Sequence, residues 1–215
     1  MNRDFEFKQL LRAYRKGIIS AETFEEEMTT LENGGGLESA GDGGSGFRAF
    51  GRLYHSERAA IISFLDKVRA AEAEGGEALS RWAAVCKTDW IRTALRIIAE
   101  RESYHARVFE QRVLELGGEK RAASTEEGRK FSDYLGDPHV SDLDKLKSFT
   151  SRVGDPEEAV KPIHDFAALI KEDRETKEAL RLFAEDELSS TTWTVDACKA
   201  LSSGANETRA EQQSR

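Results

Sequence analysis

The chain has 215 residues, of which 39% are hydrophobic and 33% charged, so it can build one substantial core with a small appendage but not two full-sized domains. Its formal net charge of -8 and lack of a Lys/Arg block argue against a nucleic-acid partner and against an anionic membrane surface. Two cysteines, Cys86 and Cys198, exclude a disulfide framework and a four-thiolate iron centre and fit a reducing cytoplasm, and no segment approaches the roughly 18 apolar residues of a membrane span.

Only 3 prolines but 17 glycines occur, and seven of those glycines lie between Gly34 and Gly46. Residues 33–46 therefore read as a flexible, solvated tether between two modules. Before it, in residues 1–32, Phe5, Phe7, Leu10, Leu11 and Tyr14 recur at helical spacing, Gly17 offers a stop, and Ser20 caps a second helix carrying Phe24, Met28 and Leu31. A helical hairpin this short cannot keep a core of its own, so its apolar faces need a copy of itself, a partner or the main domain. Its stretch Leu11-Arg-Ala-Tyr-Arg-Lys-Gly-Ile-Ile-Ser-Ala-Glu-Thr-Phe-Glu-Glu resembles the short C-terminal domain family, which implies oligomerisation or tethering rather than catalysis.

After the tether, residues 47–201 carry helical periodicity. A first helix is predicted over 47–74, with Phe50, Leu53, Glu57, Ala60, Phe64 and Val68 on one stripe. The Gly75-Gly76 pair is read as its end. A second helix then runs to Gly117-Gly118 with Leu95, Ile98, Glu102, His105, Phe109, Val113 and Leu116 in line. Two Gly-Asp-Pro turns, at Gly136 and Gly154, predict shorter helices over 141–152 and 157–172, one of them completing a four-helix bundle. A last long helix is expected over 173–201, with Leu180, Phe183, Glu187, Ser190, Thr194, Ala197 and Leu201 on its stripe. Residues 202–215 lack periodicity and read as a disordered tail.

One internal repeat stands out. Residues 94–105 (Ala-Leu-Arg-Ile-Ile-Ala-Glu-Arg-Glu-Ser-Tyr-His) align without gaps on residues 179–190 (Ala-Leu-Arg-Leu-Phe-Ala-Glu-Asp-Glu-Leu-Ser-Ser), matching Glu102 with Glu187 and His105 with Ser190. A glutamate and a histidine three apart share a helix face, so Glu102 and His105 can point together into a bundle. Ionised carboxylates inside an apolar stripe need a positive partner. Glu57, Glu102 and Glu187 all interrupt such stripes, and no lysine or arginine lies mid-stripe opposite them. Either a bound cation or protonation must resolve this, and carboxylate oxygens with an imidazole suit iron or manganese. Glu100, Arg101 and Glu185 read as solvated faces.

On Ser56-Glu57-Arg58-Ala59, Ile98-Ala-Glu-Arg-Glu-Ser-Tyr-His105 and Phe183-Ala-Glu-Asp-Glu187, residues 47–201 resemble the ferritin-like superfamily, nearest its rubrerythrin-like members. The resemblance implies an all-α, up-down-up-down four-helix bundle holding one or two iron or manganese ions. It assigns Glu57 as first-helix ligand, Glu102 and His105 as the second-helix pair, and Glu187 as the bridging fourth-helix carboxylate. Two departures stand against a full two-metal site. Ser190 replaces the second histidine, and the third-helix ligand is Asp165, His164 or neither, because a helical wheel turns Asp165 away from the stripe of Val160, Ile163, Phe166, Ala167 and Ile170. Two functions follow: an iron-handling protein or oxidoreductase with an incomplete di-metal site, or a non-catalytic ferritin-like scaffold in which His105 hydrogen-bonds Glu57 or Glu187 and metal is absent. Both expect self-association through the bundle and the N-terminal hairpin.

Overall fold

The structure, a computed structural model, describes residues 46–213, with side chains through Ser203. The expected N-terminal hairpin and all but the last residue of the expected tether lie outside the described residues.

The first element is a strand pair where a helix was expected. β1 (Phe47–Ala49) and β2 (Arg52–Tyr54) form an antiparallel hairpin with Phe47 opposite Tyr54 and Ala49 opposite Arg52. A two-residue turn of this kind needs positive φ at both central residues, and Phe50 (φ 53°) and Gly51 (φ 78°) supply it. Phe50 bears that backbone because its ring is trapped: it stacks on Phe64 at 5.1 Å and lies 5.0 Å from Phe166. The apolar residues Phe50 and Leu53 thus mimic a helical stripe while belonging to a hairpin that closes one end of the bundle.

Helix α1 (Glu57–Val85) begins one residue after Ser56, whose hydroxyl accepts the Ala59 N–H. It passes straight through Gly75-Gly76, which corrects the predicted break. Each glycine costs a helix about 1 kcal/mol against alanine, but here the missing side chains permit close approach. A Cβ on Gly76 would sit 2.6 Å from Ser103 Oγ and 3.1 Å from the Ala99 carbonyl oxygen of the next helix. The chain turns instead at Cys86–Thr88, where Asp142 accepts hydrogen bonds from Trp82 Nε1 and from the Lys87 and Thr88 amides.

Helix α2 (Asp89–Glu115) stops where expected, at Gly117 with φ 70°; the Gly118 amide returns to the Val113 carbonyl. Helix α3 (Glu126–Gly136), which periodicity did not reveal, lies along α1, held by Arg81 to Ser132 Oγ and Asp133. The Gly136-Asp-Pro turn ends α3 rather than starting a helix. Helices α4 (Asp142–Val153) and α5 (Pro156–Leu169) fall close to their predicted spans, separated at Gly154 (φ 68°) and recapped by Asp155. Helix α6 is assigned as Arg174–Gln213.

Burial divides into two apolar cores that fix the helix directions. One joins the start of α1 (Ile61, Leu65), the end of α2 (Phe109, Val113), the end of α5 (Phe166, Ile170) and the start of α6 (Leu180, Phe183). The other joins the end of α1 (Leu79, Trp82), the start of α2 (Ile91, Leu95), Leu146 of α4 and Ala197 of α6. Helices α4 and α5 therefore run one after the other as a broken third bundle helix, parallel to α2. The bundle is thus up-down-down-up rather than up-down-up-down, because residues 116–141, including α3, carry the chain back along α1 before α4 begins. Between the two cores lies a belt of polar residues.

Candidate metal centre

The belt is built from three helices. Glu72 stands on α1, Glu102 and His105 on α2, and Asp186, Glu187 and Ser190 on α6. Glu72, Glu102 and His105 are 7%, 9% and 5% exposed, values that would be prohibitive for isolated charges. A carboxylate oxygen each of Glu72 and Glu187 and a ring nitrogen of His105 lie within 4.8 Å of one another. The imidazole is held from both sides, Nδ1 at 3.3 Å from Glu72 Oε2 and Nε2 at 3.0 Å from Asp186 Oδ2. Phe183 packs edge-on against the ring at 4.9 Å.

Burial sets the electrostatics. It pushes the Glu187 carboxyl up to about 8, with the neighbouring Glu102 charge adding to the rise. Burial raises Glu72 and Glu102 well above the usual carboxylate range too, and the charges of Glu187 and Glu72 respectively add to it. Oε1 of Glu187 is buried with no hydrogen-bond partner. A buried acceptor without a donor, among three clustered carboxylates and an imidazole, fits a hard divalent cation such as iron or manganese.

Three of the five residues singled out in the sequence, Glu102, His105 and Glu187, meet in this belt; the other two do not. Glu57 occupies the first turn of α1, fifteen residues before Glu72, which is about 22 Å along a helix. Its carboxylate accepts the amides of Lys171, Glu172 and Asp173 and so ties the α5–α6 loop to α1. Burial pushes its pKa up, but the three amide bonds together outweigh that and hold it below the usual carboxylate value. Asp165 pairs with Lys161 at 3.0 Å on α5, and His164 is exposed. Among the described residues the belt draws no ligand from the broken third helix.

Three residues of the belt escaped the sequence reading: Glu72, Asp186 and Arg101. Glu72 lies four residues beyond Val68 on the same stripe and inside the predicted helix, where the reading of the stripe stopped at Val68. Arg101, read as solvated, is 27% exposed in its side chain; its Nη2 donates to Ser190 Oγ and its Nη1 lies 3.7 Å from Asp186 Oδ1. A cavity of about 370 Å³ opens beside Glu102, Glu187 and Ser190, walled by Leu79, Trp82, Phe131, Leu135 and Phe149 from α1, α3 and α4.

No family model matches the chain and no curated protein matches it. Among solved structures it is similar to the bacterioferritin of Desulfovibrio desulfuricans, a crystal structure described for its diiron site in different catalytic states. The match has a TM-score of 0.55 and 19% identity and covers 72% of this chain and 87% of that one. The fold is therefore an all-α, ferritin-like bundle.

Proposed function

We propose that this protein is a ferritin-like metal protein that holds iron, or manganese, among Glu72, Glu102, His105 and Glu187 and serves in iron handling or oxidation. The observation that carries the reading is the cluster of buried Glu72 and Glu102 and half-buried Glu187 around one buried imidazole, with Glu187 Oε1 left without a hydrogen-bond partner. Asp186 on Nε2 holds His105 in the tautomer that leaves Nδ1 free to ligate beside Glu72, the carboxylate–histidine arrangement common behind metal ligands. The glutamates must shed protons to ligate, so metal uptake releases protons at neutral pH. When bound, the ion would supply one-electron chemistry toward dioxygen or peroxide. The chain's own part is to orient the donors, to exclude bulk water with Phe183 and the two cores, and to leave the adjoining cavity open to a small molecule.

The alternative is a scaffold without metal. Its support is that His105 already bridges Glu72 and Asp186, which ties the belt together through hydrogen bonds alone. Metal content decides between the two. Protein loaded anaerobically with Fe(II) and desalted should retain iron, and Glu102→Ala and His105→Ala should lose it while staying folded. A folded wild type that retains none supports the scaffold.

Self-association belongs to the proposal. Trp90, Ile97 and Tyr104, at seven-residue steps on α2, are 47%, 61% and 57% exposed and form an apolar stripe suited to a second copy.

A further inference from the structure

The repeat within the chain relates the two halves of the belt. In the alignment that matches Glu102 with Glu187 and His105 with Ser190, Arg101 matches Asp186. The structure pairs the same positions across the belt. His105 of the first half meets Asp186 of the second at 3.0 Å, and Ser190 of the second half receives a hydrogen bond from Arg101 of the first. The two contacts are equivalent by the repeat but opposite in chemistry. One joins an imidazole to a carboxylate, and the other joins a hydroxyl to a guanidinium.

We infer that Arg101 is a built-in cation taking the place of a second metal ion, so that the centre holds one divalent ion per chain; this rests on the metal-binding reading above. The half-site around His105 offers nitrogen and carboxylate donors. Its counterpart offers Ser190, a weak ligand, already engaged by a guanidinium that carries a permanent positive charge and no lone pair. Electrostatics agrees: a second divalent ion beside Ser190 would be set against the Arg101 guanidinium in a low-dielectric site. Part of the guanidinium is committed to this interior: Nε of Arg101 is buried with no partner among the described residues, an arrangement that neighbouring carboxylates make tolerable.

The repeat also says how a second site could be restored. Replacing Arg101 by a neutral residue removes the competing charge, and replacing Ser190 by histidine returns the missing nitrogen. The test is anaerobic titration of the full chain with Fe(II) and with Mn(II), followed by metal analysis of desalted protein, for wild type, Arg101→Lys, and the double variant Arg101→Gln with Ser190→His. Wild type and Arg101→Lys should saturate at one ion per chain and the double variant at two. Two ions on the wild type, or a folded double variant that stays at one, would overturn the assignment of Arg101 and leave the metal-binding reading intact. A wild type that binds none overturns both. Should the double variant fail to fold, Ser190→His alone decides: with Arg101 in place it should stay at one ion per chain, and a second ion there overturns the assignment.

Discussion

Glu187 illustrates how a single residue links stability to ligand binding. Its carboxyl, raised from 4.5 to about 8, keeps its proton in the folded protein over a range in which the unfolded chain has lost it. The folded state therefore binds more protons between those values, and stability falls as pH rises through that window. Glu72 and Glu102 shift in the same direction. Metal-free protein should thus show a melting temperature that falls between about pH 5 and pH 8, and saturating Fe(II) or Mn(II) should flatten the slope; thermal unfolding by circular dichroism reads both. Glu57 makes the opposite case. It looked like a ligand because it interrupts an apolar stripe, but three backbone amides account for its charge. Glu57→Ala should cost about 1–3 kcal/mol through the freed amides and leave metal content unchanged. Glu102, His105 and Glu187 were legible because spacing and the repeat place them on one face of each helix. Arg101 was not, since a position beside the stripe reads as solvent until the neighbouring helix is in place.

At the scale of elements, local rules and packing disagree at Gly75-Gly76. Propensity makes the pair a helix stop, whereas contact with α2 makes it a point of close approach, Gly75 against Glu102 and Gly76 against Ser103, each 27 residues away in sequence. Gly76→Ala tests which dominates. By propensity it stabilises by about 1 kcal/mol; by overlap with Ser103 Oγ and the Ala99 carbonyl it destabilises by roughly 1–3 kcal/mol. We expect net destabilisation, measured by urea unfolding, and a net gain would mean that the helices can part without loss. The same competition explains the other departures. Phe50 takes positive φ because two rings hold it, and α3 escaped notice because its eleven residues bury only Ser132 and Leu135. By contrast the end of α2, and α4 and α5, were legible from glycine stops, Pro156 and long stripes, which act locally, whereas the start of α2 at Asp89 was not.

For the whole molecule, the two apolar cores do what one long core would do in a plain bundle, and the polar belt sits where they part. The third helix breaks at Gly154, so the belt takes ligands from three helices, and α3 and α4 wall the cavity at its side. The all-α class was readable from periodicity, but the helix number was not, since α3 escaped it, and neither was the parallel run of α2 and the third helix, because direction depends on where residues 116–141 travel. The same scale carries the association prediction. Ile97→Glu on the exposed α2 stripe should convert a self-associated species to monomer in sedimentation velocity without altering the melting transition by more than about 0.5 kcal/mol; an unchanged sedimentation coefficient would remove that stripe from the interface. The central claim, that the belt binds metal, is tested most directly by diffraction from crystals soaked anaerobically in Fe(II), with anomalous differences measured at the iron edge. The account predicts one strong peak per chain in contact with Glu72, His105 Nδ1 and Glu187; a map with no peak there, at full occupancy of iron in the soak, would contradict it.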